Sequence, residues 1–414
     1  MGSYKNKKMA RKKTEKNKTE KPMKMAVITE AHEKKEKKKF IPVCTPWLPG
    51  NEKKYVNDAL DTNWISSAGK YIDKFEESFS RYCGVSYGLA CSNGFAALHL
   101  ACMALGLKKG DEVIVPTFTM SAPVNAVILT GATPVLVDAD KETFCIDARK
   151  IEGKITGKTK AIIAVHIYGH PCAMDTIMAL ARKYNLKVIE DAAESHGAEY
   201  KGKKCGSIGD IGCFSFYGNK ILTMGEGGMA ITHNKIYAEK MKKYRNYAFE
   251  HPRFLHQEFG VNYRLTNIQA AIGFAQTENV EKLVEARRHI GENYNQLLQE
   301  TRWIVLPIEK EGCKNVYWMY GVVLTKEIKK AREEIVEALK ENGVDTRNFF
   351  IPMHQQPVFY NGPLENAPDC TDSYFIADAL GRRGFYLPSS SNLSLEDQTY
   401  VAACLKEILS KSFN

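Results

Sequence analysis

The chain has 414 residues, of which 44% are hydrophobic and 26% are charged, so it is long enough for a large buried core. Its net charge of +10 comes from residues 1–40, which hold fifteen Lys/Arg and five Asp/Glu, whereas the rest holds 43 of each. The charge balance argues against a basic body built to bind nucleic acid, and the lack of a long apolar run argues against a transmembrane helix.

The cysteines and the first forty residues indicate the compartment. The eleven cysteines are dispersed, with no C-x-x-C pair and no His/Cys cluster at zinc spacing, so we expect reduced thiols and no metal site. The first forty residues lack the apolar region of a secretory signal. We therefore expect a cytoplasmic protein with no membrane attachment.

Residues 1–40 are rich in lysine and contain almost no apolar residue before Met23. Such a segment cannot bury enough surface to offset its ordering entropy, so we predict a disordered Lys-rich tail. The favoured interpretation is a solubilising extension. The alternative is an electrostatic arm for nucleic acid or an acidic membrane, and nucleic acid is the less favoured partner.

Residues 89–100 (LACSNGFAALHL) predict a strand, a turn and the start of a helix. Backbone N–H groups at a helix N-terminus bind phosphate well, because they point outward and carry the positive end of the helix dipole. The N–H groups of Gly94, Phe95 and Ala96 are therefore candidate phosphate donors.

Apolar strands and amphipathic helices then alternate. The predicted elements are a strand at 111–116, a strand at 133–137, a helix at 148–155, a strand at 160–166, a helix at 174–184 and a strand at 187–190. This βαβ rhythm predicts an α/β fold with a mostly parallel sheet. Ligands of such sheets lie at the carboxyl ends of the strands.

Residues 187–230 carry the candidate chemistry. Asp191 ends one apolar run, and Ser215 and Lys220 follow a second run that begins at residue 211. In pyridoxal 5′-phosphate (PLP) chemistry a lysine amine bonds to the aldehyde, a carboxylate keeps the pyridine nitrogen protonated and a hydroxyl can hold the phosphate. Taken alone, such a pair also fits a solvated lysine and a strand-end aspartate.

The C-terminal part has its own pattern. Thr266 to Gln269 form a capping box before a long helix, and from about residue 287 we predict a strand at 320–324, a helix at 330–342 and a terminal helix at 395–410. The predicted division is a tail over 1–40, a large PLP-binding domain over 41–286 and a small C-terminal domain over 287–414.

The residues around Lys220 resemble the signature of the DegT/DnrJ/EryC1/StrS sugar aminotransferases. That signature is roughly E-D-x-A-x-x-x-G, then G-D-[IV]-x-x-F-S-F-x-x-x-K-x-x-x-x-G-[DE]-G-G. The chain has EDAAESHG at 190–197, GDIGCFSFYGNK at 209–220 and GEGG at 225–228, and the resemblance covers about 41–410. It implies the PLP-dependent aminotransferase fold type I (aspartate aminotransferase-like), with a large domain of mixed, mostly parallel sheet and a smaller C-terminal α/β domain.

The resemblance also implies the catalytic roles. Lys220 would bind PLP and move a proton between substrate and cofactor, and Asp191 would face the pyridine nitrogen. Glu194 would lie near the phenolic oxygen, where many family members carry glutamine. Because two anions would repel each other there, we expect the Glu194 carboxyl to be protonated or directed elsewhere.

The cofactor pocket departs from the family at two positions. The phosphate-binding turn, expected around Ser215, Gly94 and Ala96, has Phe95 where the family motif has a threonine hydroxyl. Met120 replaces the aromatic residue that usually stacks on the pyridine ring, and a methionine can also cover a ring face.

Further residues are implied at the substrate and the subunit contact. The loop with Asn262 and Arg264 resembles a family loop that enters the neighbouring subunit's site and touches the phosphate, which implies a homodimer with shared active sites. His354, in a P-x-H-x-x-P-like segment, and Tyr217 are implied to bind substrate.

The resemblance implies a reaction as well. L-glutamate would donate the amino group and leave as 2-oxoglutarate, and a nucleotide-linked keto-sugar would accept it for polysaccharide synthesis. Glu194 and the residues around 66–72 and 217–220 resemble one branch of the family, and that resemblance implies GDP-4-dehydro-6-deoxy-D-mannose as acceptor and GDP-perosamine as product. UDP- and dTDP-linked 4-keto-6-deoxy sugars remain the alternatives.

Two further classes are less favoured. The family's dehydratases, which use the amine form of the cofactor, have histidine in place of the lysine at 220. A non-enzymatic scaffold or nucleic-acid-binding regulator that uses the basic tail is the other. The presence of Lys220, Asp191 and Ser215 argues against loss of the chemistry.

Overall fold

The computed structural model describes residues 39–412, so the predicted disordered tail lies outside the described residues, apart from its last two. Within residues 39–412 the strands are β1 (Tyr87–Cys91), β2 (Glu112–Pro116), β3 (Thr133–Val137), β4 (Thr159–Val165), β5 (Lys187–Asp191), β6 (Glu199–Tyr200), β7 (Lys203–Lys204), β8 (Ile211–Ser215), β9 (Gly228–Thr232), β10 (Ile304–Val305), β11 (Cys313–Lys314), β12 (Tyr320–Leu324), β13 (Arg347–Asn348) and β14 (Gly384–Leu387).

The helices of the same residues are α1 (Glu52–Asp61), α2 (Lys70–Cys83), α3 (Gly94–Ala104), α4 (Ala122–Ile128), α5 (Ala148–Ile151), α6 (Met174–Tyr184), α7 (Lys235–Tyr244), α8 (Asn267–Glu278), α9 (Val280–Leu298), α10 (Arg332–Glu341), α11 (Pro357–Tyr360), α12 (Phe375–Arg383) and α13 (Leu395–Ser412). None of these thirteen combines the length and the apolar character that crossing a lipid bilayer requires.

The main sheet has seven strands in the order β1-β9-β8-β5-β4-β2-β3. Strands β8, β5, β4, β2 and β3 run parallel to one another, whereas β9 is antiparallel to both β8 and β1. The fold class is confirmed: the sheet is mixed and mostly parallel. Its inner strands are mostly buried, as in β4, where every residue but Lys160 is buried.

A second sheet lies in the C-terminal part, with the antiparallel order β10-β12-β14-β13. Helices α9, α10 and α13 cover it and enclose a separate apolar core that includes Tyr294, Tyr320, Phe385 and Leu405, all fully buried. The strand predicted at 320–324 has those bounds, and the capping box of Thr266 is present at the start of α8.

The first described residues bond to segments that flank the strands of this second sheet. The N–H of Ile41 donates to the Gly343 carbonyl at 2.8 Å, and the N–H of Ser389 donates to the Val43 carbonyl at 2.8 Å. Helix α9 continues without a break through residues 286 and 287. The division at that point stays a prediction.

Candidate active site

A cavity of about 450 Å³ opens where β4, β5 and β8 end. Eight of the twelve predicted site residues line it: Lys220, Asp191, Glu194, Ser215, Gly94, Phe95, Met120 and Tyr217. The other four, Ala96, Asn262, Arg264 and His354, are not among its lining residues. The parallel strands bring the chemical groups together because their carboxyl ends share one edge of the sheet.

Asp191 is the last residue of β5, in the middle of the main sheet. Its register partners are Val165 on β4 and Cys213 on β8, and the residue is only 6% exposed. Oδ1 accepts a hydrogen bond from the Ala193 N–H at 3.1 Å. Burial raises the pKa of Asp191, and the positive charge of Lys220 opposes that shift.

Lys220 follows β8 in a tight turn, in which its N–H donates to the Tyr217 carbonyl at 2.9 Å. Its Nζ lies 3.8 Å from the centre of the Trp318 ring. Burial lowers the pKa of Lys220, whereas the carboxylates of Glu194 and Asp191 act in the opposite direction. A partly buried amine with a lowered pKa is suited to a nucleophile and to a proton carrier.

The Glu194 carboxyl is directed toward the backbone of the β4–α6 connection. Oε2 accepts a hydrogen bond from the Tyr168 N–H at 2.7 Å, and Tyr168 has a positive φ of 52°. Burial raises the pKa of Glu194 to about 7, although Lys220 and the Tyr168 N–H lower it. At neutral pH this carboxyl can therefore hold or release a proton.

The N-terminus of α3 lies against the end of β8. A Cβ on Gly94 would lie 2.7 Å from the Ser215 Cβ, so only glycine allows this approach. Asn93 caps the helix, since its Oδ1 accepts from the Ala96 N–H at 2.8 Å. The Ala96 N–H is thus engaged within the chain, and its assignment to phosphate stays a prediction.

Met120 and Tyr217 lie at the rim of the cavity, with 52% and 49% of their surface exposed. The Met120 sulfur accepts a hydrogen bond from the Ala122 N–H at 3.1 Å at the start of α4. This contact fixes the thioether at the cavity mouth.

His354 lies outside the cavity lining, and both of its ring nitrogens are engaged by the chain itself. Nδ1 lies 2.8 Å from the Thr117 Oγ1, and Nε2 lies 2.9 Å from the Asp378 Oδ1. In the 260–266 loop, Nη1 of Arg264 donates to the Asn246 side chain at 2.9 Å. Substrate contact by His354 and cofactor contact by Arg264 stay predictions.

The histidines near the strand ends serve the fold. His166 Nε2 lies 3.0 Å from the buried Glu190 carboxylate, which also accepts from the Gly206 N–H at 2.8 Å. His170 Nδ1 bonds the Pro171 carbonyl at 2.8 Å. These contacts give both histidines a structural role.

The cavity also has a wall that sequence reasoning did not find. Three aromatic residues from the C-terminal part complete it: Trp318, Phe350 and Tyr386. Trp318 Nε1 donates to the Asn219 carbonyl at 2.8 Å, directly before Lys220. Trp318 and Tyr386 lie in apolar stretches that are typical of core, so the sequence carries no signal for their place in the site, whereas Phe350 lies in the P-x-H-x-x-P-like segment of His354.

Comparison with known proteins agrees with this geometry. A family model described as the DegT/DnrJ/EryC1/StrS aminotransferase family matches residues 48–406. A GDP-perosamine synthase of Caulobacter vibrioides is 45% identical over 371 residues, which is 89% of this chain and 98% of that protein. A GDP-perosamine synthase of Escherichia coli O157:H7 is also 45% identical, over 90% of this chain and 99% of its own.

Solved structures show the same architecture. The crystal structure of an aminotransferase from Psychrobacter cryohalolentis superimposes with a TM-score of 0.84 at 30% identity, covering 91% of this chain and all of that one. Helicobacter pylori PseC, an aminotransferase involved in pseudoaminic acid biosynthesis, superimposes with a TM-score of 0.84 at 25% identity, covering 90% of this chain and all of that one.

Proposed function

The chain belongs to the DegT/DnrJ/EryC1/StrS aminotransferase family, and we propose that it converts GDP-4-dehydro-6-deoxy-D-mannose to GDP-perosamine, with PLP as cofactor and L-glutamate as amino donor. The observation that carries the reaction type is the placement of Lys220 and Asp191 in one cavity. The acceptor is supported by the two GDP-perosamine synthases that match the chain nearly end to end.

The residues present fit PLP. The partly buried amine of Lys220 and the buried carboxyl of Asp191 line the same cavity, and the Ser215 hydroxyl lies beside the N-terminus of α3, where Gly94 allows close approach. The bound cofactor supplies an aldehyde that bonds to amines and a protonated ring that accepts electrons. Lys220 would hold the aldehyde, Asp191 the ring nitrogen, and Ser215 with Gly94 and Phe95 the phosphate.

Lys220 is also the proton carrier. Its Nζ would take the proton from the α-carbon of the donor and deliver it to the C4′ carbon of the cofactor. The lowered pKa of Lys220 supports this role, because only a neutral amine accepts a proton. Glu194, with a pKa of about 7, would exchange a proton with the phenolic oxygen instead of repelling it.

Substrate contacts and the assembly belong to the proposal as well. Tyr217 and Met120, exposed at the rim, would contact the sugar and cover the cofactor ring respectively. Asn262 and Arg264 lie outside this chain's cavity lining, which supports their action in the site of a second subunit in a homodimer. His354 would act on substrate binding through Thr117.

A half-reaction tests the acceptor. The purified protein is converted with L-glutamate to the amine form of its cofactor, and GDP-, UDP- and dTDP-linked 4-keto-6-deoxy sugars are added separately. We expect the visible absorbance of the aldehyde form to recover rapidly with the GDP-mannose derivative alone. Recovery with only a UDP- or dTDP-linked sugar would identify that sugar as the acceptor in place of the GDP-mannose derivative. A protein that never shows the visible band with PLP would overturn the enzymatic proposal.

A further inference from the structure

Trp318 makes two contacts that converge on Lys220. Its ring centre lies 3.8 Å from the Lys220 Nζ, and its Nε1 donates to the carbonyl of Asn219 at 2.8 Å. One indole therefore fixes the backbone just before the lysine and faces the amine at the end of the side chain. Trp318 is 3% exposed, so little water competes for the ring face.

The indole is itself firmly held. The fully buried Arg287 donates from Nη1 to the Trp318 carbonyl at 2.7 Å and from Nε to the Ser391 hydroxyl at 3.3 Å. The Tyr168 ring stacks on the indole with the ring centres 6.2 Å apart. The position of the ring is thus set by the fold.

Several charged and titratable groups surround the Lys220 amine, but the direct contact that the structure shows for this amine is with the indole of Trp318. Asp191 and Glu194 approach from the end of β5, Cys44 from the first described segment and His196 from the connection between β5 and β6. Among residues 39–412, however, no carboxylate oxygen lies within the 4.0 Å of a salt bridge to Nζ. An aromatic face attracts an ammonium and has no comparable attraction for a neutral amine.

We propose that Trp318 is a positioning residue for transamination, whose indole face holds the Lys220 amine in its protonated form while the amine is not bonded to the cofactor. This rests on the proposed function, in which the amine must carry a proton between two carbons. Nζ would accept the proton from the donor's α-carbon and later release it to the cofactor, which would supply the electron sink. Between these transfers Lys220 is an ammonium, and the indole keeps that ammonium from moving to another position.

Fluorinated tryptophans at position 318 test this without disturbing the fold. Fluorine weakens the negative face of the ring stepwise and leaves its size and the Nε1–H bond to Asn219 nearly unchanged. The readout is the pKa of Lys220, obtained from its rate of acetylation by acetic anhydride against pH and mass spectrometry of the labelled peptide. It is measured in the full-length protein with pyridoxamine 5′-phosphate bound and again without cofactor.

We expect the pKa of Lys220 to fall with each added fluorine and to fall by about one unit in Trp318→Leu, which is a roughly tenfold faster labelling near neutral pH. Trp318→Phe should lie between these limits. The matched control is fluorination of Trp47, whose ring faces Lys282 at 5.1 Å, and it should leave the pKa of Lys220 unchanged.

An unchanged pKa of Lys220 across the fluorinated series would overturn the proposal and leave Trp318 as a packing residue. If Trp318→Leu does not fold, the fluorinated series still decides. The cofactor-free measurement uses neither PLP nor a sugar, so failure of the acceptor half-reaction and failure of this inference are separate results.

Discussion

The Thr117 hydroxyl lies 2.8 Å from Nδ1 of His354, and through this bond the end of β2 is joined to the C-terminal part. Thr117 is fully buried, and Thr119 and Met120, which follow it, line the cavity. His354 is held from its other side by Asp378 at 2.9 Å. The histidine can therefore affect the cavity without touching a ligand.

We expect Thr117→Val and His354→Ala to change the protein in the same direction. Each leaves a buried polar partner unpaired, so the free energy of unfolding in urea should fall by about 1–3 kcal/mol. The KM for the acceptor should rise in both, because the segment that leads to Met120 is released. A normal KM in Thr117→Val beside a raised KM in His354→Ala would instead indicate direct contact of His354 with the substrate.

Lys220→Arg should abolish catalysis and keep the fold. An arginine keeps the positive charge but neither bonds to an aldehyde nor gives up its proton at neutral pH. We expect the visible absorbance with PLP to be absent and the half-reaction with L-glutamate to slow by about a thousandfold or more. The exposed Lys183, changed to arginine, is the matched control and should leave both measurements unchanged.

Glu194→Gln should change how stability depends on pH. The folded protein holds the Glu194 proton with a pKa of about 7, above the ordinary value of 4.5, so ionisation costs stability as pH rises from 4.5 to 7. Glutamine does not ionise. In the cofactor-free protein the variant should gain up to about 3 kcal/mol over the parent between pH 5 and pH 8.

Urea unfolding at the two pH values measures this gain, and the exposed Glu226, which also lines the cavity, provides the control Glu226→Gln. The pKa of Lys220 should also fall in Glu194→Gln, since the Glu194 carboxylate raises it. A difference in stability that is the same at both pH values would contradict a titrating Glu194.

Phe95→Thr should tighten PLP binding. The substitution restores the hydroxyl that the family motif places at the N-terminus of α3, where Phe95 lines the cavity. One additional hydrogen bond of about 1 kcal/mol corresponds to roughly fivefold in the dissociation constant, measured by quenching of protein fluorescence. Phe95→Val has the same shape without the hydroxyl, and equal affinities of the two variants would exclude a hydroxyl contact.

Deletion of residues 1–38 should leave the half-reaction rates unchanged, because every residue that lines the cavity lies within the described part of the chain. The same deletion is the comparison for binding to nucleic acid at low and high salt. Slower transamination in the shortened chain would give the tail a part in catalysis.

The strand ends and the helix start that border the cavity could be predicted because they follow from local patterns. Asp191 and Lys220 follow apolar runs, and Gly94 opens a helix, so strand ends and a helix start could be placed from spacing alone. The direction of Glu194 was partly foreseen, since repulsion between anions required that the carboxyl be protonated or directed elsewhere.

The aromatic wall could not be predicted in this way. Trp318 and Tyr386 reach the cavity only because β12 and β14 pair in a second sheet, and no local pattern records which face of that sheet meets Lys220. For His354 a local motif does give a prediction, but the motif does not record the contacts that the residue makes. Its motif resembles a substrate loop, but pairing with Thr117 and Asp378 depends on elements more than twenty residues away in the chain.

The bonds of Ile41 and Val43 to the C-terminal part have a consequence for synthesis on the ribosome. Val43 bonds to Asp345, 302 residues later, and to Ser389, which is translated later still. The strands of the main sheet can pair as they emerge, whereas this first segment must wait for almost the whole chain. Closing so long a loop is entropically costly and slow, so the segment should be the last part of residues 39–412 to gain protection from proteolysis during folding.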